Sequence, residues 1–83
     1  MLAVSVILDK RRRKKDGTFP VKIRYSWKGH TLYYNTGISV REENFRDGLV
    51  TGTRTARIYN ALLSERVKAV ELLLIDHEVR QMD

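Results

Sequence analysis

The sequence predicts an α+β fold, a three-stranded antiparallel sheet packed on one long C-terminal helix, and three observations predict it. From Phe19 to Trp27 apolar and polar residues alternate, with Phe19, Val21, Ile23, Tyr25 and Trp27 on one side and Lys22, Arg24 and Ser26 on the other. Lys28-Gly29 then offers a two-residue connection into a second run that pairs back on the first. From Ala56 to about Arg80 the chain contains neither Gly nor Pro, and Tyr59, Leu62, Leu63, Val67, Val70, Leu73 and Leu74 fall on one arc at helical spacing.

Taken in order, the first strand is written in the alternation that puts Leu2, Val4, Val6 and Leu8 inward. Arg11 to Gly17 reads as a turn, with Asp16-Gly17 reversing the chain into the strand that starts at Phe19. Pro20 lacks an amide donor and belongs at a strand start or an edge. If Lys28-Gly29 forms the whole loop, Trp27 pairs with His30, Tyr25 with Leu32, Ile23 with Tyr34 and Val21 with Thr36. On the other face Ser26 meets Thr31, Arg24 meets Tyr33 and Lys22 meets Asn35. A slip by one residue would set the apolar row against the polar one, so the register is internally consistent. Gly37 interrupts the third strand, and Ile38 and Val40 resume it. Phe45 plugs the edge of the core, Asp47-Gly48 marks another turn, and Thr53 or Thr55 caps the helix. The whole is one domain, residues 1–83, with the sheet over about 2–40, a turn region over 41–54 and the helix over about 55–80.

Eighty-three residues leave room for one small domain with a modest core. With no Cys, a disulfide scaffold, a Cys-based zinc site and a cysteine nucleophile are all excluded, and the cytoplasm is the default compartment. The apolar start is too short to span a bilayer, and the basic cluster follows it, the reverse of a secretory signal's order. His30 and His77 have no metal-ligand spacing, and Glu42-Glu43 and Asp76 with Glu78 read as solvated charge. Neither Ser64 nor any tyrosine has a visible activating partner. No catalysis, cofactor, metal or small-molecule substrate is therefore expected of this chain.

The net charge of +6 is unevenly placed. Residues 1 to 30 hold nine Lys/Arg against Asp9 and Asp16, whereas residues 31 to 83 hold seven against eight acids. Basic charge gathered on one element is the electrostatic footprint of nucleic-acid binding, although a run such as Lys10 to Lys15 also occurs as a solvated loop. The outward face supplies the rest: Lys22, Arg24, Ser26, Thr31, Tyr33 and Asn35 are candidate base readers. Arg11, Arg12, Arg13, Lys14, Lys15 and Lys28 are candidate contacts to the DNA backbone. On the helix, Arg66 lies near the middle of the apolar arc and is expected to snorkel past the sheet edge. Leu72, Ile75 and Val79 form a second stripe, either a contact with another domain or protomer or scattered surface apolar residues.

The order of apolar strand, basic Asp-Gly turn, Pro20-Val21-Lys22-Ile23-Arg24, Gly29, Thr36-Gly37-Ile38-Ser39-Val40, Phe45, Asp47-Gly48-Leu49-Val50-Thr51-Gly52 and a helix carrying Asn60 resembles the N-terminal arm-type DNA-binding domain of tyrosine recombinases, the phage integrase family, and within it conjugative-transposon integrases. The resemblance covers nearly the whole chain. It implies a sheet that enters the major groove of double-stranded DNA at arm-type sites of a mobile element, as the accessory domain of a site-specific recombinase or integrase. Ser39 stands where that pattern commonly has a basic residue, and Phe45 where it commonly has Trp. Nothing here matches the catalytic Arg, His and Tyr of such enzymes. Two other functions remain open to the residues: a single-stranded RNA-binding module that stacks bases on Tyr33, and a protein-interaction module that uses the helix stripe.

Overall fold

The structure, a computed structural model, describes the backbone of residues 3–81 and the side chains of residues 3–76. Leu2 and the side chains of His77 and Val79 lie outside the described residues. Strands β1 (Ala3–Leu8), β2 (Phe19–Trp27) and β3 (His30–Val40) form an antiparallel sheet in the order β1-β2-β3. A 3-10 turn at Glu42–Asn44 leads into a two-stranded hairpin, β4 (Phe45–Arg46) and β5 (Leu49–Val50), and α1 (Ala56–Gln81) closes the chain. The α+β architecture is thus the one the sequence predicts. The β4–β5 hairpin was not anticipated: two residues a side are too few for alternation to show.

Lys28 and Gly29 have φ of 48° and 80°, the two positive values a type I′ turn requires, and that turn sets the register of β2 on β3. Trp27 pairs with His30, Tyr25 with Leu32, Ile23 with Tyr34, Arg24 with Tyr33, Ser26 with Thr31 and Lys22 with Asn35, as expected. The expected Val21–Thr36 pair is replaced by a bulge, after which Pro20 meets Ser39 and Phe19 meets Val40. Three residues of β3, Thr36 to Ile38, there oppose Val21 alone. Because the insertion is two residues and not one, the faces are preserved, and Thr36, Ile38 and Val40 all stay buried. The bulge's polar groups are satisfied locally. The Thr36 hydroxyl donates to the Val21 carbonyl at 2.7 Å and accepts from the Ile38 amide at 3.2 Å, while Asn35 Oδ1 accepts from the Gly37 amide at 3.1 Å. Gly37 sits at φ 79°, where a side chain would be strained.

The core lies between this part of the sheet and the first turns of α1: Val21, Ile38, Val40, Val50 and Leu63, with Val6, Leu8, Phe45, Ala56 and Tyr59 packed around them. Asn60 clasps the small hairpin to the helix, its Oδ1 accepting from the Val50 amide at 2.8 Å and its Nδ2 donating to the Val50 carbonyl at 2.9 Å. The expected helix arc is partly corrected. Leu63 and Val70 are buried and Tyr59, Val67 and Leu74 half-buried, but Leu62 and Leu73 are 38% and 72% exposed. Tyr34, read as core from its strand position, is 43% exposed. Both corrections have one cause: α1 packs on β5, β1 and β3 near the bulge, and the outer end of the β2–β3 hairpin extends past its cover. No helix among the described residues is long and apolar enough to cross a membrane.

Substitutions should separate these layers. Leu63→Ala is expected to cost about 2–5 kcal/mol in urea unfolding, whereas Leu73→Ala should stay within about 0.5 kcal/mol. Thr36→Val keeps the shape but removes both hydroxyl bonds of the bulge, with an expected loss of about 1–3 kcal/mol. Equal losses at Leu63 and Leu73 would contradict the packing described.

Candidate nucleic-acid interface

Opposite the helix, the sheet presents a face that no other element among the described residues covers. Three cross-strand rows run along it: Lys22 beside Asn35, Arg24 beside Tyr33, and Ser26 beside Thr31, with Ser5 and Ala3 of β1 flanking Arg24 and Ser26. All six expected base-reading residues therefore share one face. Arg24 lies on the central strand, exposed, and no ion pair or hydrogen bond to another described residue engages its guanidinium. Ser26 and Thr31 hydroxyls lie 3.3 Å apart, and the Tyr33 ring is 48% exposed.

Lys22 is differently placed. Its ammonium donates to Asp9 Oδ2 at 2.8 Å, and only 17% of its side chain is exposed. Asp9 is itself nearly buried, at 3%, and its other oxygen accepts from the Arg11 amide at 3.2 Å and the Arg11 Nε at 3.3 Å. Arg12 Nε stands 4.0 Å away. A carboxylate so surrounded is held ionised. The Lys22 bond first, and then the Arg11 contacts, lower its pKa from 3.8 to about 2 against the opposing effect of burial. Sequence reading counted Asp9 only as charge. The signal for it was the parity of β1: Asp9 continues the ladder, its amide donating to the Pro20 carbonyl at 2.9 Å, and so falls on the Lys22 face, diagonal to Lys22.

The basic segment between β1 and β2 is built from two hydrogen-bonded turns. The Arg12 amide donates to the Asp9 carbonyl, and the Gly17 amide to the Lys14 carbonyl, while the Lys14 amide closes on the Thr18 carbonyl at 2.8 Å. Asp16 Oδ1 accepts from both the amide and the hydroxyl of Thr18, and these bonds lower its pKa. Arg11 to Lys15 are thereby carried on one ordered connection at the polar edge of the sheet, whereas Lys10 pairs with Glu42 at 3.3 Å. Lys28, at the far hairpin tip, places its ammonium 4.8 Å from the Trp27 ring centroid.

On the helix side, Leu72 and Ile75 are exposed at 67% and 48%. Leu62, Leu73 and Tyr34 line an open groove with Arg66, whose Nε is buried with no hydrogen-bond partner among the described residues. Arg66 is thus only half-buried, with its Nε shielded from water. No group of three or more His, Asp or Glu that could hold a metal ion occurs among the described residues.

In comparison with known proteins, a family model described as "Arm DNA-binding domain" matches residues 6–81. No curated protein and no solved structure matches the chain.

The Asp9 cluster makes a signed prediction for pH. Because folding depresses the Asp9 pKa, its stabilisation is fully present above the unfolded value of 3.8 and is lost as pH falls through about 2. In denaturant titrations, wild type should exceed Asp9→Asn in stability above pH 3.8, and the gap should close below it. A gap that is constant across that range would show that the carboxylate's charge is not what matters.

Proposed function

This chain belongs to the arm DNA-binding domain family, and we propose that it reads duplex DNA at arm-type sites of a mobile element by laying the outward face of its sheet in the major groove, as the accessory domain of a site-specific tyrosine recombinase. The observation that carries this reading is the placement of Arg24. It is an unpaired, exposed guanidinium at the centre of an uncovered sheet face, between Ser5 and Tyr33, with an ordered basic connection beside it. A two-stranded ribbon or small sheet fits the major groove, and guanidinium binds guanine O6 and N7 bidentately.

The roles of the other residues follow from their partners. Asn35 spends its oxygen on the Gly37 amide, so it meets DNA through its amide NH₂, as a donor to acceptor atoms only. Ser26, Thr31 and Tyr33 supply hydroxyls along the same face. Lys22, bound to Asp9, works chiefly by fixing the basic connection to the sheet, while Arg11, Arg12, Arg13, Lys14, Lys15 and Lys28 hold phosphates. The exposed Leu72 and Ile75, with Val79 continuing their spacing, are assigned to contact with another domain or protomer of the recombinase.

Binding assays on cognate and scrambled duplexes test the division of labour. Arg24→Ala is expected to remove about 1–3 kcal/mol of discrimination between them. Lys14→Ala should weaken both alike and lower the slope of log K against log salt by about 0.9. Equal loss from both variants on both duplexes would overturn it, and a preference for single-stranded RNA over duplex DNA would select base stacking on Tyr33 instead.

A further inference from the structure

Beside the β3 bulge, the sheet's polar face holds a concavity of about 330 Å³ lined by Arg12, Lys14, Lys22, Asn35, Gly37 and Ser39, with Pro20 as its apolar wall. We propose that this concavity is the seat of a single phosphate group, a backbone phosphodiester when DNA is bound. The proposal rests on the duplex-binding reading for the source of the phosphate, but the seat itself rests on the chemistry of its walls.

Three cationic side chains meet there and no carboxylate does. Asp9 already serves Lys22 and Arg11, which leaves Arg12 only its 4.0 Å approach, and Lys14 makes no ion pair or side-chain hydrogen bond among the described residues, feeling only the through-space attraction of Asp16. Convergent like charges repel, and an anion between them removes that repulsion. The uncharged walls also donate: the Asn35 oxygen is turned to the Gly37 amide, leaving the amide NH₂, and Ser39 adds a hydroxyl. A phosphodiester offers acceptors only, which suits a lining in which the side chains of Arg12, Lys14, Lys22, Asn35 and Ser39 all carry donors. Gly37 leaves the approach open, since a Cβ built on it would meet no atom within 4 Å. One row along the strands, roughly 7 Å away, stands the Arg24–Tyr33 pair. A phosphate fixed in the seat would therefore set the register in which Arg24 meets the bases.

The test is an amide NMR titration of the full chain, first with inorganic phosphate at ionic strength held constant with chloride, and then with duplex DNA. Saturable phosphate shifts are expected at Asn35, Gly37, Ile38 and Ser39. Lys14→Ala, and Ser39→Asp, which places a carboxylate in the concavity, should each weaken phosphate binding by about fivefold or more, while Arg24→Ala should leave it unchanged. The same amides should shift with duplex, and Ser39→Asp should weaken duplex binding by about tenfold. Phosphate shifts reproduced by chloride alone, or confined to Lys10, Lys15 and Lys28, would overturn the seat even if duplex binds. Phosphate shifts at the bulge without any duplex affinity would keep the anion seat and overturn the DNA reading.

Discussion

The parity of the β2–β3 ladder is the constraint on which both faces of this domain depend. Side chains alternate along a strand, so any insertion of an odd number of residues would turn Ile38 and Val40 outward and bring Gly37 and Ser39 into the core. The bulge inserts two, and the Thr36 hydroxyl binds the Val21 carbonyl that has lost its ladder partner. Thr36 does what an apolar residue of the same shape could not, since it fills a buried position and satisfies backbone groups on two strands. From that point the core residues of β3 stack on Val50 and Leu63, and the polar row from Asn35 to Ser39 stays on the opposite face.

The Asp9 cluster extends the same order to the edge. Burying a carboxylate is costly unless its lone pairs are used and its charge is matched, and here two cationic side chains and a backbone amide hydrogen-bond its two oxygens. The arrangement ties residue 9 to residue 22 across two strands and so anchors the connection that carries the basic run. It does so without neutralising that connection, because one carboxylate stands among Arg11, Arg12 and Lys22, with Arg13, Lys14 and Lys15 close in sequence. The positive field that a polyanion would meet therefore has a defined place relative to the sheet.

The sequence made the hairpin register readable because Lys28-Gly29 left one loop length to consider and every cross-strand pair then agreed in polarity. The length of the helix was equally plain from its lack of Gly and Pro. Other features depend on geometry that periodicity does not carry. The burial of Leu63 and the exposure of Leu62 and Leu73 depend on where the helix axis crosses the sheet, and apolar residues occur on several sides of this helix. The Asn60 clasp depends on a hairpin of two residues a side. The six outward residues were found because alternation alone places them on one face, whereas the commitment of Lys22 to Asp9 needed a third strand's register as well.

A sheet face left uncovered has consequences for the rest of the molecule. A sheet covered on one side only must draw its stability from a single layer of contacts, and in a chain of 83 residues that layer is small. Among the described residues the largest fully enclosed side chains are aliphatic and of modest size, Ile23, Val21 and Val50. Polar devices then carry a larger share of the structure: the threonine at the bulge, the asparagine that grips both backbone groups of Val50, and the carboxylate under the basic turn. Each is a local bond with defined geometry, and each fixes an element that the thin core alone would hold loosely. The same uncovered face that limits the core is the one on which Arg24, Tyr33 and the bulge concavity are displayed, so the economy of the fold and the exposure of those groups have a common origin.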